Sequence, residues 1–126
     1  MADVGTSTRK RQLLVLRHAP YHGAAARAAV DLALAMAAFE QDVELLFLGD
    51  GVLQLLKDQA ADALGRKSLG RILSSLPLYD IERVYVDAAA LARFAIAADA
   101  LVLPVEPLAE AEIHALMNAC DQLVSC

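Results

Sequence analysis

The chain reads as a single-domain α/β protein, a three-layer α/β/α arrangement around a five-stranded, mainly parallel sheet. Three observations point there. Short apolar runs alternate with helix-favouring stretches along the 126 residues. The runs are apolar at successive positions instead of every second one, the pattern of strands whose sheet is covered on both faces. Ala (26) and Leu (22) supply most of a hydrophobic share of 58%, while aromatics are 5% and Trp is absent. Alanine is depleted in strands, so this excess belongs to helices and disfavours an all-β sandwich. The same apolar share excludes a disordered chain, which cannot bury enough surface to offset its ordering entropy.

Residues 1–11 form a basic, polar N-terminal tail ending in Arg9-Lys10-Arg11, and the domain occupies residues 12–126. Gln12 to Leu16 is the first buried strand, ended by Arg17, and His18 to Gly23 is a loop punctuated by Pro20 and Gly23. Ala24 to Phe39 follows as a helix rich in intrinsically favourable Ala, Leu and Met. Within it Val30, Leu34 and Ala37 or Ala38 recur at helical spacing, and Arg27 and Asp31 form an i,i+4 pair. Val43 to Leu48 is the second strand, closed by Gly49-Asp50-Gly51; Val52 to Leu56 makes one short helical turn before a polar stretch that runs through Lys67. Ser68 is placed as the N-cap of a helix to about Leu76, stopped by Pro77. Tyr79-Asp80-Ile81-Glu82 leads into a third strand, Val84-Tyr85-Val86. Ala88 to Ala98 is helical by composition, and Ala100 to Val105 is a fourth strand with Pro104 at its end. Pro107 opens a helix to Ala119, with Ile113, Leu116, Met117 and Cys120 on one stripe, and Leu123-Val124 is a last short strand.

The charge pattern narrows the function. From Gln12 onward eight basic residues face fifteen acidic ones, and the net charge is −5. A nucleic-acid binder needs a basic face, which this body lacks. Charged residues interrupt every stretch long enough to span a membrane. The apolar stretch after the basic run, Leu13 to Leu16, is too short for a secretory signal, which predicts a cytoplasmic protein. Cys120 and Cys126 lack C-x-x-C spacing and the three histidines are scattered, so no metal centre is predicted.

In a parallel sheet the functional loops lie at the carboxyl ends of the strands. Those ends are His18 to Gly23, Gly49 to Gly51, Asp87 to Ala89 and Glu106-Pro107. Leu14-Val15-Leu16-Arg17-His18-Ala19 looks like the strand-to-loop signature of histidine phosphatases, in which the His accepts a phosphoryl group and the Arg neutralises its oxygens. That chemistry needs a second His, and His114 sits in mid-helix. Gly49-Asp50-Gly51 lacks the spacing of a dinucleotide loop and the Lys-Ser/Thr of a P-loop, so it reads as a tight turn. Tyr21 alone is a poor aromatic setting for a flavin, and no cofactor is predicted. Cys120 falls on the apolar helix stripe as an inert core thiol; Cys126, the last residue, is a candidate sulfur carrier whose own carboxylate disfavours the thiolate.

Taken together, Ala19-Pro20 with His22-Gly23, Asp50-Gly51-Val52 with Gln54-Leu55-Leu56, Leu78-Tyr79-Asp80-Ile81-Glu82, and Ala88-Ala89 with Leu91 carry a resemblance. They resemble the TusC/DsrF branch of the DsrE/DsrF sulfur-relay family, from about Gln12 to Val124. The resemblance implies a DsrE-like fold and membership of a TusBCD-type complex, a dimer of heterotrimers. TusB-like and TusD-like subunits are then the direct partners, with TusA-like and TusE-like carriers before and after them. The relay moves persulfide sulfur towards 2-thiouridine at the tRNA wobble position; the DsrF alternative is dissimilatory sulfur oxidation. The working cysteine of the TusD/DsrE branch precedes an Ala-Ala-Ala-Leu segment, and here Val86 stands at that place in Val86-Asp87-Ala88-Ala89-Ala90-Leu91. The implied role is therefore a noncatalytic subunit that works through contacts. Loop residues with apolar or aromatic side chains are the candidate partner contacts: Tyr21, His22, Val52, Leu53, Leu78 and Tyr79.

Overall fold

A computed structural model describes residues 11–18, 25–39, 42–56 and 69–125. Five strands, β1 (Arg11–Leu16), β2 (Asp42–Phe47), β3 (Arg83–Asp87), β4 (Glu106–Leu108) and β5 (Gln122–Ser125), form one sheet in the order β4-β3-β2-β1-β5. Every pairing is parallel. Helices α1 (Ala25–Ala38), α2 (Leu69–Ser74), α3 (Ala88–Arg93) and α4 (Glu110–Ala119) connect them, with 3₁₀ segments at Gly49–Leu55, Leu76–Tyr79 and Ala98–Ala100.

Alternation along the strands splits the core in two. Leu14, Leu16, Leu45, Phe47, Val84 and Val86 face one side and pack against α1, α2, α3 and the 3₁₀ segments. Leu13, Val15 and Leu46 face the other, where α4 covers them with Ile113 and Leu116. These are the three layers expected from strands apolar on both faces. Arg11, counted with the basic tail in the sequence, is instead the first residue of β1 and pairs with Asp42.

The fourth strand departs from expectation. It is Glu106–Leu108, not residues 100–105, so the helix predicted from Pro107 begins only at Glu110. Leu101 and Leu103 are buried beneath the helices of the first face; Leu101 makes an antiparallel bridge to Leu56, and the Val102 N–H donates to the Leu55 carbonyl at 2.8 Å. The run is apolar because it packs across the end of a 3₁₀ segment. Pro107 is tolerated in β4 because an edge strand can spare a donor.

Two helical ends explain two further differences. The helix expected to reach Ala98 stops at Arg93, because Ala95 adopts φ +54°. The Ile96 N–H then donates to the Leu91 carbonyl and that of Ala95 to the Ala92 carbonyl, a Schellman closure. The same closure ends the 3₁₀ segment Leu76–Tyr79: Asp80 has φ +63°, Ile81 N–H reaches Leu76 O, and Ile81 and Leu76 are both buried. Pro77 thus sits inside a second helical segment beyond the end of α2. Ser68 and the Arg27 side chain lie outside the described residues.

Candidate functional site

The carboxyl ends of β1, β2 and β3 meet around the Gly49–Leu55 segment. The Leu48 N–H donates to the Leu16 carbonyl at 3.0 Å, so the pairing of β1 and β2 continues past the strand ends. Gly49 turns the chain with φ +51°, in the left-handed region that favours glycine. Two residues later a Cβ on Gly51 would lie 2.0 Å from the Leu16 carbonyl oxygen, so no side chain fits there. Val52 and Leu55 then drop into the core, and the fully buried Gln54 reaches back, its Nε2 donating to the His18 carbonyl at 2.8 Å. The block Asp50-Gly51-Val52-x-Gln54-Leu55 is therefore a device that clamps the end of β1 onto the turn after β2.

Charges ring this end without converging. Asp50 lies 3.9 Å from the Arg93 guanidinium, which also stands 4.8 Å over the Phe94 ring. The Asp50 and Arg93 side chains are each more than half exposed, and such a pair contributes little. Asp87 ends β3 and caps α3, its Oδ1 accepting from Ala89 N–H at 3.1 Å. Val86, just before it, is fully buried between Phe47 and Pro107 in the sheet register. His18 is half-buried at the end of β1, whereas His114 is exposed on α4, across the sheet from the helices of the first face. The two-histidine arrangement of a phosphatase is not formed by these two residues. Among the described residues no group of three or more His, Cys, Asp or Glu could hold a metal ion.

The candidate contact residues separate. Val52 is a correction: it is fully buried in the core, because the 3₁₀ segment turns it inward. Leu53 is half-buried. Leu78 and Tyr79 are exposed by 85% and 50%, and they precede β3, so they lie at the amino end of the sheet, opposite the turns just described. Tyr21 and His22 lie outside the described residues, as does Cys126. Cys120 is half-buried, with its thiol directed at the Met117 carbonyl at 3.1 Å, instead of lying fully in the core.

At the amino end the structure holds a buried charge that lies outside the sequence-based expectations. Glu44 projects from β2 towards the α4 face and is 1% exposed. Its oxygens accept from Arg11 Nε at 2.8 Å and Nη2 at 3.2 Å, with Arg83 Nη1 at 3.8 Å. Arg11 is tied further, its backbone N–H donating to Asp121 Oδ2 at 2.8 Å, and its carbonyl accepting from the Asp121 N–H. The hydrogen bond to Glu44 raises the Arg11 pKa and keeps the guanidinium charged. Burial, then the neighbouring Glu44 carboxylate, raises the Tyr85 pKa above its ordinary 10.0. A cleft of about 200 Å³ opens beside this cluster where β4 leaves β3, between Glu82–Tyr85 and Pro104–Glu106. One signal was available: Glu44 interrupts an otherwise apolar strand, and a charge there demands partners.

Comparison with known proteins fits this architecture. The profile of the DsrE/DsrF-like family matches residues 10–126. The chain is 36% identical over 113 residues to the protein TusC homolog of Pseudomonas aeruginosa, covering 90% of this chain and 95% of that one. It is 33% identical to the intracellular sulfur oxidation protein DsrF of Allochromatium vinosum, over 92% and 96% of the two chains. The crystal structure of the ychN protein from E. coli superposes with a TM-score of 0.81 at 20% identity, covering 93% and 99%, a likeness of fold. By fold, family profile and relatives, this chain is a member of the DsrE/DsrF-like family.

Proposed function

We propose that the protein is a noncatalytic subunit of a sulfur-relay complex, one that passes persulfide sulfur towards 2-thiouridine at the tRNA wobble position. The observation that carries this reading is the likeness to TusC homologues over nine-tenths of the chain. Val86 supports it: the place read as that of the relay cysteine holds a fully buried aliphatic side chain. The turns around it are closed by a steric fit at Gly51 and by the Gln54 hydrogen bond, which leaves the carboxyl end shaped but without a nucleophile in that position. Its direct partners are TusB-like and TusD-like subunits, and it acts by completing the assembly in which a partner's cysteine works. The protein acts in the cytoplasm; among the described residues no helix is long and apolar enough to cross a membrane.

The likeness to DsrF favours a second reading, a subunit of a dissimilatory sulfur-oxidation complex. Deleting the gene separates the two. Loss of 2-thiouridine from tRNA supports the first, and intact tRNA with impaired sulfur oxidation supports the second. Co-expression with TusB-like and TusD-like chains tests both, since a chain that stays alone beside them is not a subunit.

A further inference from the structure

β3 runs two residues before β4 joins it. Arg83 and Val84 pair with Glu44 and Leu45 of β2, whereas β4 first meets β3 at Tyr85, opposite Glu106. On the side turned towards β4, Arg83 and Val84 therefore have no neighbouring strand. The cleft of about 200 Å³ occupies that place, between Glu82–Tyr85 and Pro104–Glu106. In its lining Val84 is buried, Tyr85 and Val105 are half-buried, and Pro104 is exposed. Glu82 and Glu106 stand exposed on its two sides.

The charges around the cleft follow from the register. Opposed residues of parallel strands share a face, and side chains alternate along each strand. Arg11, Glu44, Arg83, Tyr85 and Glu106 are thus all on the α4 face. Sign alternates from Arg11 to Glu44 to Arg83 across β1, β2 and β3, with Arg83 Nη1 at 3.8 Å from Glu44. The one base in the lining is therefore directed towards β2. Glu106 ends the row on the edge strand. Among the described residues neither the Glu82 nor the Glu106 side chain makes a hydrogen bond or ion pair.

We infer that this cleft seats an extended segment of a partner subunit, which places one lysine between Glu82 and Glu106. The inference rests on the subunit reading above and adds a contact site and its chemistry. Charge complementarity selects a cation, and size selects a side chain, since drug-sized ligands occupy pockets of about 300–1,000 Å³. The described acids do not group so as to hold a metal ion. The phosphates of a nucleic acid or an anionic lipid meet two carboxylates here, and a second copy presenting the same cleft sets acid against acid. An ammonium group is a compact charge with three donors and suits two carboxylates that stand apart, whereas the guanidinium fork matches a single carboxylate. The lysine stem lies along Pro104, Val105 and Tyr85. Its backbone takes the strand place missing beside Arg83 and Val84.

The test is a titration of the full-length chain against co-purified TusB-like and TusD-like subunits, followed by light scattering. Glu82→Gln with Glu106→Gln should weaken association about 10-fold, and Glu82→Lys with Glu106→Lys about 50-fold or more. Each isolated variant should keep the wild-type far-ultraviolet dichroism. Raising the salt from about 0.05 to 0.5 M should weaken the wild type more than the Gln variant. Asp99→Asn with Glu110→Gln removes the same charge from other exposed sites and should leave association unchanged. Equal weakening by that control would mean that net charge, not the cleft, sets the affinity, and overturns the inference. Cleft variants that assemble as tightly as the wild type also overturn it and leave the subunit reading standing; a wild type that does not assemble overturns both. Zero-length carbodiimide coupling of the assembled complex, read by peptide mass spectrometry, should join Glu82 or Glu106 to a lysine of a partner chain. A bond to a lysine of this chain or of a second copy, or no bond at all, contradicts the assignment.

Discussion

The two ends of the sheet are built on different principles. At the carboxyl end, closure is steric and uncharged: glycine where a Cβ would strike the Leu16 carbonyl, and a buried glutamine holding the His18 carbonyl. At the amino end, closure is ionic, with Glu44 buried between Arg11 and Arg83 while Arg11 also anchors Asp121 ahead of β5. The exposed apolar pair Leu78 and Tyr79 is also carried at this end. The motif block at residues 50–56 therefore keeps the shape of the carboxyl end.

Five substitutions test this contrast. Gly51→Ala should cost about 3–4 kcal/mol in urea unfolding, since a backbone carbonyl, unlike a flexible side chain, cannot step aside. Near-wild-type stability there would mean that the carboxyl end is not sterically closed. Arg11→Met should cost about 3 kcal/mol, at the low end for breaking a buried pair because Arg83 remains near Glu44. Adding Glu44→Met to it should recover much of that loss, because no buried charge is then left unpaired.

Val86→Cys should cost about 1 kcal/mol, and its thiol should stay unlabelled by a persulfide donor in the folded chain, because the side chain at this position is fully buried. Rapid labelling would show that the carboxyl end is more open than its packing indicates. The smallest effect belongs to Tyr85. Its pKa is raised in the folded protein, so the unfolded chain gives up the phenolic proton first. The associated stability is present below pH 10.0 and is lost as the pH rises through the folded value. Tyr85→Phe should therefore flatten the alkaline limb of the unfolding curve and leave the neutral region nearly unchanged.

Much of this architecture was legible in the amino-acid sequence, for identifiable reasons. The strands Gln12–Leu16, Val43–Leu48 and Val84–Val86 are nearly continuous apolar runs, and burial on both faces leaves that trace. The run at residues 100–105 carries the same trace and is not a strand, because a core position beneath a helix demands the same side chains as one in a sheet. Val52 looked like a loop residue and is core, since a 3₁₀ segment can turn a side chain inward within two residues of a tight turn. The buried Glu44 cluster joins residues from three strands and the segment before β5, a convergence that linear spacing does not display. Phe39 lies just past the end of α1 and off the Val30, Leu34 and Ala37 spacing that marks the inward side, so periodicity gives it no place in the core, and it is 79% exposed.

In the proposed role this chain contributes contacts and leaves the sulfur chemistry to a partner. Its most direct test is to load the assembled complex with a persulfide donor and weigh each intact subunit by mass spectrometry. The proposed role predicts added sulfur on the TusD-like partner and none on this chain. Sulfur retained at Cys120 or Cys126, and lost when that cysteine is replaced by serine, would contradict it.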